Sequence, residues 1–258
     1  MSFLPGVAIR AGLISETAAL AELYRTAELR TPIPTCPGWQ LSDLLEHVGG
    51  EHRWAATMVT RRCTERIDFT AVPDFTPPAD PEQARRWLRR GAHILVEAVD
   101  STGATMPIWT PFASAQPAEW WIRRRLHETT AHHAEADLAL HRRLRLAPAL
   151  AADGLSELLD ILTVRSARIP TLPLDPGSSL LLRATDTEPA HPGSWSIRRS
   201  DGEICWDHED PGAADVLIQG SATALYLLVL RRIPIDDPRV IVSGDRAILT
   251  TWLERTRF

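Results

Sequence analysis

The feature that most constrains the fold is a change of pattern near residue 145. The first part of the chain carries long helical segments, and the last 110 or so residues carry short strand-like runs. In the second helical segment Leu41, Leu44, Leu45 and Val48 follow the i, i+3, i+4, i+7 spacing that places apolar side chains on one helical face. The predicted helices cover residues 13–29, 40–62, 81–99 and 117–144. Four such helices joined by Pro-containing loops are typical of an antiparallel bundle.

The second half predicts a different architecture. A helix over residues 151–168 precedes strand-like runs at 179–184, 194–199, 203–206 and 214–219, which turn residues separate. A helix capped by Ser221, a strand around Val240 and a last helix ending near Arg255 follow. We therefore expect an α+β protein, with a four-helix bundle over residues 1–147 and a smaller α/β domain over 148–258.

Composition excludes several classes of protein. Hydrophobic residues at 44% and charged residues at 24% are ordinary for a folded globular chain, and unlike a disordered or multi-span membrane protein. The net charge of −5 argues against nucleic-acid binding through phosphate neutralisation. Cys36, Cys63 and Cys205 form no CxxC pair, so neither a disulfide framework nor a thiolate zinc site is indicated. With no targeting or membrane-spanning pattern, we expect a cytoplasmic protein without nucleic-acid or membrane partners.

A pair of possible metal ligands lies on the fourth helix. Glu128 and His132 are four residues apart, about 40° on the helical wheel, so both side chains can reach one ion. His127 is five residues from His132, about 140° around the helix. The position four after His127 is Ala131, so the HExxH signature of zinc proteases is absent and that function is rejected.

The second helix offers a third ligand. His47 borders the apolar stripe, where its side chain can face the bundle interior, with Glu51 and Trp54 on roughly the same side as a polar neighbour and an apolar wall. His47, Glu128 and His132 would form a site of two histidines and one carboxylate. The alternative is that the Glu128/His132 pair is a local surface contact. Five further histidines are expected to be surface or core residues: His52, His93, His133, His191 and His208.

Two stretches in the first half of the chain resemble a known family. Residues 34–39 read PTCPGW and lead into LSDLLEHVGGEHRWA. The fourth helix places Arg125, Glu128, His132, Glu135 and Asp137 in order. Both resemble the mycothiol-dependent maleylpyruvate isomerase family, a branch of the DinB-like metal-binding bundles. The acidic pair is reversed from the family's usual order, so neither member is given a role.

The C-terminal half resembles the same family's sterol-carrier-like domain. The resemblance rests on ALYLLVLRRIP from residue 224, DDP at 236–238, VSGD ending at Asp245, and Trp252. The family places an arginine near the active site after this leucine-rich helix, usually as Gly-Arg. Here the pair is Arg231-Arg232, and Arg232 is the better match.

The resemblance implies a divalent metal held by His47, Glu128 and His132, and zinc is the metal expected. It implies mycothiol as the thiol cosubstrate. It also implies that Arg232 and Arg125 act as catalytic residues by binding substrate carboxylates, and that Arg232 and Trp54 contact mycothiol. Metal coordination deprotonates a thiol, so no catalytic cysteine is needed, and Cys36 is expected to be packed beside Trp39.

Three functions remain open. The first is a mycothiol S-transferase acting on a small-molecule electrophile. The second is a cis-trans isomerase of the maleylpyruvate type, in which the thiol adds, the bond rotates and the thiol leaves. The third is a non-catalytic binding protein for a small apolar ligand. The metal's identity, the second substrate and the oligomeric state are not determined by the sequence.

Overall fold

The computed structural model describes residues 4–112, 114–144, 146–166, 171–188 and 191–256. Within it, Pro5–Arg145 form one compact unit, and a second unit begins at Leu146.

The N-terminal unit is a helical bundle. The elements are α1 (Gly6–Ala21), α2 (Leu23–Thr26), α3 (Leu41–Thr60), α4 (Pro81–Thr102), β1 (Pro107–Ile108), β2 (Gln116–Pro117) and α5 (Glu119–Ala139). Helix α3 packs along α4, α1 packs against α4 and α5, and α3 also contacts α5. A 3₁₀ turn at Phe69–Ala71 and a two-residue antiparallel pair, β1 with β2, lie in the connections. The predicted bundle is confirmed.

Local signals set both ends of α4. The Asp80 carboxylate accepts a hydrogen bond from the Gln83 backbone N–H at 2.8 Å, and Pro81 occupies the first helical position, where no N–H is needed. Gly103 ends the helix with φ of 101°, a conformation that glycine adopts without strain. The helix runs three residues beyond residue 99, and it stops at Gly103, where the sequence predicts the stop.

The bounds of the first and fourth helices differ from prediction. Helix α1 begins at Gly6 rather than 13 and ends at Ala21, and only the short α2 follows before Ala27 becomes extended. The chain then turns back, because the Leu41 and Ser42 backbone N–H groups donate to residues 31 and 29. Helix α5 begins at Glu119 because residues 116–117 pair as β2, and it ends at Ala139 rather than 144. Pairing with a neighbouring segment therefore overrides local helix propensity after α2 and at the start of α5.

The bundle core brings α3 and α4 close together. A Cβ atom on Gly49 would lie 2.2 Å from the Trp87 ring, so only glycine allows the indole to lie against the α3 backbone. The core cluster around this contact consists of Leu20, Ala21, Leu23, Tyr24, Ile33, Leu41, Leu44, Leu45, Val48, Ala84, Trp87, Leu88 and Ala136. The apolar stripe predicted for the second helix is part of this core.

The C-terminal unit combines helices with a mixed five-stranded sheet. The elements are α6 (Pro148–Ser166), β3 (Ser179–Ala184), β4 (Ser194–Ser200), β5 (Glu203–Asp207), β6 (Val216–Gly220), α7 (Ala222–Val229), β7 (Val240–Gly244) and α8 (Arg246–Arg255). The strand order is β5-β4-β3-β6-β7, and β3 and β6 are parallel. The Trp195 indole N–H on β4 donates to the Ser156 hydroxyl on α6 at 2.9 Å. The predicted α+β class is confirmed; the predicted helix end at 168 lies outside the described residues.

Among the described helices, none combines the length and apolar character needed to cross a membrane.

Candidate metal centre

Helices α3 and α5 bring together the three ligands that the sequence singled out. His47 on α3 and Glu128 and His132 on α5 each place one donor atom within 4.8 Å of the others. The two imidazole rings meet edge to face, with centroids 5.0 Å apart. Two imidazoles and a carboxylate are a donor set that binds divalent transition metals and leaves coordination positions open.

Both histidines are prepared to offer a lone pair. Burial, with the neighbouring His132 and Arg125, lowers the pKa of His47 to about 3, so its ring is neutral at pH 7. The His132 Nδ1 lies 2.7 Å from Oε2 of the fully buried Glu135. A carboxylate on Nδ1 fixes the tautomer that leaves Nε2 to bind a metal.

Two arginines hold Glu128 in its ionised form. Burial raises the pKa of this carboxyl, but the guanidinium groups of Arg124 and Arg125, which donate to its two oxygens, outweigh burial and lower the pKa below its usual range. Each carboxylate oxygen has two lone-pair sites, so these contacts leave room for a cation. The side chain is 27% exposed and within reach of solvent.

Arg125 is itself fixed by a buried polar network. Its side chain is 2% exposed, and it donates to Glu51 Oε2 at 3.3 Å and to His52 Nδ1 at 3.5 Å, in addition to Glu128. His52 is fully buried, and its Nε2 lies 3.0 Å from the Thr17 hydroxyl. Burial first, and then Arg125, hold the pKa of His52 well below its usual range, so a neutral ring accepts from Arg125. Among the described residues, Arg125 NH2 has no hydrogen-bond partner.

Trp39 lies against the ligands, a contact that sequence reasoning did not identify. Its ring lies 5.1 Å from His47 and stacks at 6.3 Å on His132, so it forms an apolar wall of the site. Trp54 is only 6% exposed, and its indole N–H donates to Ile67 O, within an aromatic cluster that includes Trp109 and Trp121. Its contact with mycothiol stays a prediction.

Sequence reasoning gave no role to Glu135, which lies one helical turn after His132. The Cys36 thiol donates to Glu135 Oε2 at 3.5 Å, so the cysteine reaches the centre as well as lying near Trp39 in the core. Cys36, His132 and Glu135 form a second group whose donor atoms lie within 4.8 Å of one another. The i, i+3 spacing of His132 and Glu135 was the available signal for their contact.

Arg232 lies in the C-terminal unit, directly after α7. Its guanidinium donates to Leu230 O at 2.6 Å, and with Arg231 it lines a cavity of about 410 Å³. Arg231 has φ of 58°, in the left-handed region that favours glycine. This backbone conformation gives a physical reason for the glycine expected at that position from the family resemblance.

Comparison with protein families agrees with this architecture over most of the chain. The model described as Mycothiol maleylpyruvate isomerase N-terminal domain matches residues 11–137, and the MDMPI C-terminal domain matches residues 149–251. The chain belongs to the mycothiol-dependent maleylpyruvate isomerase family. The resemblance and the expected enzyme class are thereby confirmed.

Solved structures support the same fold for this isomerase-family member. Crystal structures of the mycothiol-dependent maleylpyruvate isomerase and of its histidine-to-alanine variant match with TM-scores of 0.61 and 0.63. Each is 16% identical, and each match covers 95% of this chain and 97% of the other. The comparison with curated protein sequences gave no significant match. The family supports a mycothiol-dependent function of the maleylpyruvate isomerase type.

Proposed function

We propose that this isomerase-family member is a mycothiol-dependent metalloenzyme in which His47, Glu128 and His132 hold a divalent cation. Zinc is the cation proposed. The observation that carries the proposal is the convergence of their three donor atoms within 4.8 Å. When bound, such a cation supplies deprotonation of a thiol at neutral pH. The donor set also suits iron, nickel or manganese, so metal uptake is to be measured with more than one metal.

The surrounding residues support this assignment through their charges. Glu135 orients His132, and Arg124 and Arg125 keep Glu128 ionised. Trp39 lies against both imidazoles and shields one side of the site from water. Protonation of His47 would occupy the lone pair that the cation needs, and protonation of Glu128 would remove the negative charge that attracts it.

We propose that arginines bind the substrate. A maleylpyruvate-type substrate carries two carboxylates, which guanidinium groups bind through paired N–H donors. Arg125 is proposed as one of these arginines, and its NH2 is a buried nitrogen with no hydrogen-bond partner among the described residues. Arg232 is proposed as the second anion-binding arginine, and Trp54 and Arg232 remain the proposed mycothiol contacts.

The proposed reaction begins when the mycothiol sulfur bonds to one carbon of the conjugated double bond. The electron pair of that double bond moves toward the carbonyl oxygen, where a positioned guanidinium stabilises the charge. Rotation about the new single bond and departure of the sulfur restore the double bond in the trans form, so mycothiol is regenerated. The family match favours this outcome over S-transfer, in which the sulfur stays attached to the product, and over a non-catalytic binding protein.

The metal assignment is tested by elemental mass spectrometry. Wild type, His132→Ala and the control His93→Ala, whose histidine is exposed on α4, are dialysed against the same metal-free buffer and then given zinc, nickel or manganese. We expect about one ion per chain in wild type and His93→Ala, and loss in His132→Ala with the fold retained. Wild type that takes up none of these metals contradicts the proposal.

The reaction is tested with mycothiol and maleylpyruvate. Isomerisation yields the trans product with total free thiol unchanged, whereas S-transfer consumes thiol in proportion to product. Wild type loaded with metal that gives neither change, under conditions where the metal is retained, contradicts the catalytic part of the proposal and leaves the metal assignment standing.

A further inference from the structure

A second set of donor atoms also includes His132. The Cys36 thiol, one His132 ring nitrogen and the Glu135 carboxylate lie within 4.8 Å of one another, and it is Nδ1 of His132 that lies 2.7 Å from Glu135 Oε2. Cys36 is held in place by its backbone, since its N–H donates to Ile33 O and its carbonyl accepts from the Trp39 N–H, both at 3.0 Å. Glu135 is fully buried, while Cys36 and His132 are partly exposed, so an ion can approach from solvent.

The chemistry of this set differs from that of the proposed catalytic centre. It contains a thiol, and thiolates are soft ligands that select thiophilic cations. The set with His47 and Glu128 contains only nitrogen and oxygen donors. The two sets also share one imidazole, and a neutral imidazole has a single nitrogen lone pair to give.

We propose that Cys36, His132 and Glu135 form a site for a thiophilic divalent cation, and that this site competes with the proposed catalytic centre for His132. On binding, the Cys36 proton passes to solvent and the thiolate coordinates the cation. The His132 proton moves from Nδ1 to Nε2, so Nδ1 binds the cation and Nε2 no longer serves the other set. Glu135 exchanges its hydrogen bonds to Cys36 and His132 for the cation. The competition rests on the proposed function, whereas the binding site itself does not.

The site is tested with Cd²⁺ alone, because thiolate coordination produces an ultraviolet charge-transfer band. We expect the metal-free protein to give this band with about one Cd²⁺ per chain, and Cys36→Ser to lose it. Cys63→Ser and Cys205→Ser are matched controls that keep it. His47→Ala also keeps the band, because that variant removes a ligand of the other set only. A band that survives in Cys36→Ser, or is absent in wild type, overturns the site.

Competition is tested on protein first loaded with Ni²⁺ and then titrated with Cd²⁺. We expect Cd²⁺ to displace Ni²⁺ so that the total stays near one ion per chain, and Cys36→Ser to need at least about tenfold more Cd²⁺ for the same release. One Ni²⁺ and one Cd²⁺ on the same chain would overturn the sharing of His132. If wild type takes up no zinc, nickel or manganese yet shows the cysteine-dependent Cd²⁺ band, the proposed function fails and the thiophilic site stands.

Discussion

Replacing Glu135 should weaken metal binding without touching a proposed catalytic ligand. Its carboxylate is fully buried and lies 2.7 Å from His132 Nδ1, where it fixes the tautomer and makes the other ring nitrogen more basic. Glu135→Gln keeps an oxygen that accepts from Nδ1–H but removes the charge. Glu135→Ala removes both and leaves a buried N–H without its acceptor.

The structure sets the size of each effect. Partners of metal-bound histidines contribute about 10-fold to 100-fold to metal affinity. Because Glu135→Gln keeps the hydrogen bond, we place it near the low end, at about 10-fold or about 1.4 kcal/mol. Glu135→Ala, which loses the hydrogen bond as well, is expected near 100-fold, or about 2.8 kcal/mol.

The assay is competition for Ni²⁺ against a chelator of known affinity, with urea unfolding to check that each variant is folded. Glu97→Gln is the matched control, because Glu97 is an exposed residue of α4 whose carboxylate pairs with Arg90. Affinities of both Glu135 variants within twofold of wild type, with the fold retained, would refute the argument that this carboxylate positions His132.

Lowering the pH from 7 to 5 should destabilise the metal-free protein. The pKa of buried His52 is far below its usual 6.5, so at this residue only the unfolded state gains a proton, and His52 contributes a loss of about 2 kcal/mol as pH falls. His47, whose pKa is lowered to about 3, adds a loss in the same direction. Urea unfolding at the two pH values checks this; His52→Gln should show a smaller pH dependence, and an equal one would contradict the assignment. Arg231→Gly should stabilise the protein by about 1 kcal/mol, because glycine adopts its φ of 58° without strain. Arg232→Gly is the control, and we expect no gain in stability from it. An Arg231→Gly variant that is no more stable than wild type would contradict the argument that the φ of Arg231 costs stability.

The parts of the site that were predictable depend on local spacing. Glu128 and His132 are one helical turn apart, so a helix places both side chains on one face wherever that helix packs. His47 borders the apolar stripe of its own helix, so burial of the stripe turns the histidine toward the bundle. The caps of α4 were equally local, because Asp80, Pro81 and Gly103 act within one turn of the ends they set.

Contacts between distant segments were decided by the tertiary structure. Cys36 and Glu135 are 99 residues apart, and nothing in either local sequence indicates that the loop before α3 delivers a thiol to a carboxylate on α5. The same loop brings Trp39 to the imidazoles, a contact that the sequence did not predict.

The sequence by itself determined which side chains share a face of a helix or strand. That pattern predicted a helical domain, an α/β domain and three candidate metal ligands. The tertiary structure decided which faces meet and which loops lie against them, and so supplied Glu135, Trp39 and the network that fixes Arg125. The physical reason is that helical periodicity acts over a few residues, whereas burial of a shared core selects contacts across the whole bundle.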